Sequence, residues 1–169
     1  MRDSDVLENN PCVSRSALEA IHSQVFGWAL SRCNYEQQLA EDLVQQAYVE
    51  LLTGKARFTG ESSLRTFVFS VVQNLARSRF RRRATHLRLV HRAAPVDDVS
   101  HFEEPQEYSA LWRAVRALPA RQRDIVELVF CRDLTIEEAS QIMGVSTGTG
   151  RVHYDRAKKS LRKKLEHEQ

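Results

Sequence analysis

The fold is read most directly from Leu134-Thr135-Ile136-Glu137-Glu138-Ala139-Ser140-Gln141-Ile142-Met143-Gly144-Val145-Ser146-Thr147-Gly148-Thr149-Gly150-Arg151. Thr135 stands three residues before Glu138, the spacing of a capping box. The hydroxyl takes an amide of the first turn and the carboxylate reaches back to the cap amide. Ala139 and Ser140 are small enough for a second helix to come close. Met143-Gly144-Val145 then supplies a turn with glycine at the tight position. Ser146 is a suitable N-cap for the next helix. That helix turns Thr149, Arg151, His153, Arg156, Lys158 and Lys159 outward and Tyr154, Ala157, Leu161 and Leu165 inward. A short helix, a glycine turn and a second helix with basic groups near its start match a helix-turn-helix. In that motif the second helix enters the major groove of DNA, where Arg and Thr face base edges and later cations meet phosphates. A solvated amphipathic helix on an ordinary bundle has the same spacing.

Helical periodicity continues upstream. Pro119 opens a helix whose buried side is Ile125, Val126, Leu128 and Val129. Tyr108, Leu111, Trp112, Val115 and Leu118 form the apolar stripe before it. Nearer the start, Leu18, Ile21, Val25 and Trp28 mark one helix, with Ser14 or Ser16 as its cap. Leu39, Leu43, Ala47 and Leu51 mark a second, closed by Gly54. Leu64, Phe67, Val68, Val71 and Leu75 mark a third, entered through Gly60 and Ser62-Ser63. No strand-like alternation and no repeat stands out. The pattern predicts an all-α protein of two small helical domains joined by a flexible acidic linker.

Charge divides the chain in the same way. Its 169 residues carry a net charge of +3. Residues 1–54 sum to −5, residues 55–92 to +9, residues 93–109 to −5 and residues 110–169 to +4. Basic blocks of this kind suit a polyanion, and the acidic ones a different partner. No apolar run approaches the roughly 18–20 residues that span a bilayer, so no membrane insertion is expected. Cys12, Cys33 and Cys131 are too few for a disulfide framework, which points to a reducing cytoplasm. Cys33 and Cys131 fall in predicted helices as small core residues. No metal-ligand spacing, Ser/His/Asp grouping or phosphate loop appears, so neither cofactor nor catalysis is expected.

At this point a resemblance becomes close. Leu118-Pro119, Arg121-Gln122-Arg123, Thr135 to Ser140, Val145 to Thr149 and Arg156-Ala157 look like the fourth conserved region of bacterial sigma factors. Ala40-Glu41-Asp42-Leu43-Val44-Gln45-Gln46-Ala47-Tyr48 resembles the core-polymerase-binding helix of region two. Phe58 to Phe67, continuing through Asn74-Leu75-Ala76 and the arginine run, resembles its promoter-melting segment. The order of the blocks and the missing third domain are similar to extracytoplasmic-function (group IV) sigma factors.

The resemblance implies a non-enzymatic cytoplasmic protein, nucleoid-associated when in holoenzyme, that binds core RNA polymerase and promoter DNA and has an anti-sigma partner. It implies a tail at 1–16, region two at 17–92 for core polymerase and the −10 element, a linker at 93–107, and region four at 108–169 for the −35 element. Glu41, Asp42, Gln45 and Gln46 would meet the clamp coiled coil of the polymerase β′ subunit, and the second domain its β flap. Asn74 matches the start of a loop that holds a flipped-out −10 base, and its amide suits a Watson–Crick edge. Arg77, Arg79, Arg81, Arg82 and Arg83 would contact phosphates, giving a steep salt dependence. Ser146, Thr147, Thr149, Arg151, Val152, His153, Arg156 and Lys158 would lie against the −35 element, with Arg151 and Arg156 as the guanine or phosphate contacts. Phe67 and Phe69 are aromatic enough to stack on unpaired bases, though Phe67 lies on the core stripe.

Two departures from the family pattern carry expectations of their own. Ser78 replaces a frequent Asp. Gly150 replaces a buried Val, which predicts lost packing area, about 1 kcal/mol of lost helix propensity against alanine and a marginal second domain that gains order on binding. The acidic 1–16 segment reads as a mobile tail. The rival readings are a free-standing helix-turn-helix regulator that works without polymerase, and an interaction protein that recognises no promoter.

Overall fold

The computed structural model describes residues 6–90 and 110–166, with side chains over 7–85 and 111–166. The acidic linker expected at 93–107 and Tyr108 lie outside the described residues. The chain divides into two units, Met1–Ser100 and His101–Gln169.

The first unit contains three helices, α1 (Arg15–Arg32), α2 (Gln37–Leu52) and α3 (Leu64–Val90), each packed on the other two. Their caps follow the local chemistry. Ser14 accepts from the Ala17 amide at 3.1 Å, starting α1. Gly54 follows α2 at φ +71°, a left-handed position that suits a residue without Cβ. Ser63 accepts from the Thr66 amide at 3.1 Å, starting α3. The core joins Val25, Trp28 and Ala29 of α1, Leu43, Val44 and Leu51 of α2, and Val68, Phe69 and Val72 of α3. Trp28 stacks on Phe69 at 5.8 Å, and its indole N–H donates to the Phe69 carbonyl at 3.2 Å. That bond satisfies the one polar atom of a fully buried ring. Phe69 is therefore a core residue, closed to unpaired bases. Phe67 is half-buried against Phe58, 5.3 Å between rings.

A small hairpin, β1 (Val6–Leu7) with β2 (Asn10–Ser14), adds a piece of sheet to a protein expected to be helical throughout. Residues 6–14 are accordingly not a mobile tail. Residues 1–5 of the 1–16 segment lie outside the described residues. The hairpin lacks a regular apolar alternation. Instead it is anchored by Val13 and by the side chain of Asn10, both buried.

The second unit contains α4 (Ala110–Arg116), α5 (Ala120–Val126), α6 (Ile136–Met143) and α7 (Thr147–Glu166). Helix α7 packs on the other three. Val115, Leu118, Val126 and Ala157 form a core cluster, with Leu161 against it. Leu111 and Trp112 of the predicted stripe are instead exposed. Both bonds of the Thr135–Glu138 capping box are present, and Gly144 ends α6 at φ +66°. Arg121 donates to the Met143 carbonyl at 3.2 Å, closing the C-terminal end of α6 with a cation.

Three expectations change here. Gly150 is buried where α7 crosses α6. A Cβ at that position would overlap Ser140 Oγ and stand 3.1 Å from Ser140 Cβ and 3.4 Å from Ile125 Cδ1. The glycine thus permits a close crossing, and the expectation of missing packing is overturned. A π-helical turn, Glu127–Cys131, replaces the regular helix read across these residues. Within it Phe130 is 60% exposed and stacks on Tyr154 at 5.9 Å. Finally, Cys131 is exposed and Cys33 half-buried at the end of α1, so neither is a core residue. Partial burial pushes both thiols up from their ordinary range.

Candidate nucleic-acid interface

Helix α7 presents the basic face of the second unit. Gly150, Ala157 and Leu161 turn inward at i, i+7 and i+11, which leaves Thr149, Val152, Arg156 and Lys159 on the open side. Ser146 is the N-cap, accepting from the Thr149 amide at 3.1 Å and sharing a 2.9 Å hydroxyl contact with Thr149. Thr147 and His153 are half-buried. Arg151 and Lys158 occupy a different flank, since five residues on a helix separate Arg151 from Arg156 by about 140°. Each member of that flank already has an acidic partner. Arg151 pairs with Glu137 of α6 at 3.0 Å, and Lys158 pairs with Asp155 at 3.1 Å while lying 4.6 Å from the Tyr154 ring centroid. The own-amide hydrogen bond of Glu137, and then the Arg151 guanidinium, hold the Glu137 carboxyl below its ordinary value. The pair is exposed, so it holds Arg151 only weakly.

In the first unit the basic residues lie along α3. Arg81, Arg82 and Arg83 are exposed, and Arg77 is half-buried. Arg79 points back to α2, 3.6 Å from Asp42 and donating to the Leu39 carbonyl at 3.3 Å. Asn74 is exposed, yet no loop begins there. Residues 64–90 are one continuous helix because no glycine or proline interrupts a run rich in Arg, Leu and Ala. The backbone that departs from regular structure lies before α3, at residues 53–63. Phe80, absent from the sequence reading, is 70% exposed among the arginines. Its signal was an aromatic interleaved with cations, an arrangement suited to stacking on unpaired bases.

The acidic side of the first unit is more built than its spacing suggested. Gln45 and Gln46 are exposed, Glu41 and Asp42 half-buried. Gln37 Nε2 donates to Glu41 Oε1 at 3.0 Å. Between α1 and α2 runs an open groove of about 450 Å³, lined by His22 and Phe26 of α1 and by Glu41, Val44, Gln45 and Tyr48 of α2. His22 Nδ1 and the Tyr48 hydroxyl are 3.0 Å apart. Partial burial raises the Tyr48 phenol from its ordinary value, so it stays protonated at neutral pH. His22, Phe26 and Tyr48 were missed because their proximity spans two helices. Among the described residues no His/Cys/Asp/Glu group is arranged to hold a metal, and no helix is long and apolar enough to cross a membrane.

Comparison with known proteins agrees with this division. Residues 17–86 match the family described as Sigma-70 region 2, and residues 108–161 match Sigma-70, region 4. The chain is similar to RNA polymerase sigma factor YlaC of Bacillus subtilis, with 24% identity over 89% of this chain and 93% of that protein. It is also similar to ECF RNA polymerase sigma factor EcfG of Rhodopseudomonas palustris, with 28% identity over 72% and 68%. Among solved structures, the fold matches the sigma factor RpoE of Bartonella quintana, crystallised with the anti-sigma factor NepR. The TM-score is 0.71 at 22% identity, over 90% of this chain and 96% of that one.

Proposed function

The chain belongs to the sigma-70 family as an extracytoplasmic-function sigma factor, and from that premise we propose how its surfaces divide the work of initiation. It is an alternative sigma factor that binds core RNA polymerase and directs promoter-specific transcription initiation. In this reading residues 17–92 serve core polymerase and the −10 element, residues 93–107 connect, and residues 108–169 serve the −35 element. Glu41, Asp42, Gln45 and Gln46, beside the α1–α2 groove, meet the β′ clamp coiled coil. Asn74 and Arg77, Arg79, Arg81, Arg82 and Arg83 serve −10 DNA, with Phe80 as an added stacking surface. In α7, Thr149, Val152 and Arg156 face bases. Ser146, Thr147, Arg151, His153 and Lys158 hold the helix start or meet the flanking backbone, and the unit docks on the β flap. The protein works without chemistry of its own, in the cytoplasm and at the nucleoid when in holoenzyme. An anti-sigma factor is a further partner, as NepR is for the solved relative.

The observation that carries this reading is the seating of α7 on Gly150, Ala157 and Leu161, which leaves Thr149, Val152 and Arg156 open together. A free-standing regulator has no use for a region-two domain, and residues 17–86 match one. The test adds the purified chain to sigma-free core polymerase and scores initiation across fragments of the source genome. Specific start sites are expected. Their absence, with active core and folded protein, overturns the reading, and operator binding that survives deletion of residues 1–92 without any need for polymerase favours the free-standing regulator.

A further inference from the structure

The N-terminal hairpin touches the rest of the first unit through an uncommon set of bonds. Asn10 is 1% exposed, and its side-chain amide uses both ends. Nδ2 donates to the Leu51 carbonyl at 2.5 Å and to the Ala56 carbonyl at 3.0 Å. Oδ1 accepts from the Phe58 amide at 2.8 Å. Beside it, Asn9 Nδ2 donates to the Leu52 carbonyl at 2.7 Å. Leu51 and Leu52 are the last residues of α2, whose terminal carbonyls have no partner within the helix. The Gly54 N–H reaches the Leu51 carbonyl at 3.2 Å. The remote hairpin adds a second donor there and one at Leu52, and the Asn10 side chain also fixes backbone five and seven residues beyond Leu51. Gly54 fits the crowding: a Cβ there would stand 3.0 Å from Asn9 Cβ, and φ is +71°.

What is fixed is the connection between α2 and α3. Phe58, held by Asn10, packs its ring 5.3 Å from Phe67 in the first turn of α3. The path runs from hairpin to connection to the helix that carries Asn74, Phe80 and the arginines. We propose that Asn10 is a positioning residue for promoter melting, with the hairpin clamping residues 51–58 so that the 58–83 segment meets DNA in one conformation. This rests on the assignment of that segment to the −10 element. Asn10 itself touches no DNA. Its effect falls on the rate of strand opening rather than on the assembly of holoenzyme, because residues Glu41 to Gln46 belong to earlier turns of α2.

The test uses full-length protein with core polymerase on the strongest promoter found in the genome-fragment assay. Asn10→Ala, which removes all three of its side-chain hydrogen bonds, is expected to slow open-complex formation by about tenfold or more, with affinity for core unchanged. Asn10→Asp retains the acceptor for Phe58 but sets a carboxylate against two carbonyls. Its rate is expected to recover as pH falls from 8 to 6 and the acid becomes a donor, a profile that Asn10→Ala lacks. Amide hydrogen exchange at Phe58 is expected to quicken in Asn10→Ala. Asn9→Ala, which removes one exposed bond, provides a milder variant should Asn10→Ala fail to fold. An unchanged opening rate in Asn10→Ala, or equal loss of core affinity and opening, overturns the proposal. If the wild-type holoenzyme opens no promoter, the −10 assignment fails and the positioning role falls with it, whereas Phe58 exchange in the wild type and Asn10→Ala still reports on the clamp by itself.

Discussion

Helices α3 and α7 both carry cations, but they are held in different ways. Helix α7 is seated along one side by small residues, Gly150 and Ala157, and cations on its flank have acidic partners in Glu137 and Asp155. Such a helix is fixed in rotation, so each outward side chain holds a set direction, which suits the proposed reading of individual bases. Helix α3 is packed through Val68, Phe69 and Val72, then continues into Arg81, Arg82 and Arg83, all exposed. This part of the helix offers charge more than shape. The difference teaches that rotational precision comes from the buried side of a helix, whereas attraction to phosphate needs only exposed charge.

The largest effect that would break this comparison is expected at the seat of α7. Gly150→Val forces the α6–α7 crossing apart and should destabilise the second unit by about 3 kcal/mol, the upper range for overpacking. Thermal or urea unfolding of the variant measures it, and equal or greater stability would mean that the close crossing is unimportant. Next, Arg156→Ala should cost about 2 kcal/mol of discrimination between matched and mutated −35 sequences. Arg151→Ala should cost less, because its guanidinium lies on the flank beside Glu137. Equilibrium binding of the two variants to paired duplexes decides this, and core-polymerase affinity should stay constant in both.

A smaller effect is expected in α3. Arg82→Ala should lower the slope of log affinity against log salt by about 0.7–0.9, without changing sequence preference. A change in preference with an unchanged slope would make Arg82 a reader and erase the contrast with α7. The smallest effect concerns Glu137. Its carboxyl titrates below the ordinary 4.5 in the folded protein, so its stabilising contribution is complete above that value. The contribution is lost as pH falls through the lowered folded value. Glu137→Gln should remove this acid-side loss and slightly tighten DNA binding at neutral pH by releasing Arg151. Acid unfolding curves and salt-matched binding measure the two effects.

The parts of the fold legible in advance are those whose physics is local. Thr135 and Glu138 are three residues apart and bond to each other's backbone, so spacing reveals the box. Gly144, Gly54, Ser14 and Ser146 mark ends for the same reason, since turns and caps involve neighbours in sequence. The two basic clusters were equally visible, because charge density is read by counting. The division of α7 into a face with Thr149, Val152 and Arg156 and a flank with Arg151 and Lys158 was not visible. Each residue was named from sequence, but grouping them required knowing which side was buried.

What the sequence determined by itself was the helical periodicity, the helix-turn-helix with its caps, the alternating charge and the order of two family regions. Tertiary structure alone decided four things: that Gly150 makes room for Ser140, that Phe69 is sealed beneath Trp28, that His22 and Tyr48 meet across a groove, and that Asn10 holds the end of α2 from 41 residues away. The reason is physical. A cap or a turn depends on atoms a few bonds away along the chain, so residue type and spacing suffice. Burial, close crossing and remote hydrogen bonds depend on which surfaces come together, and one strand of text does not contain the partner.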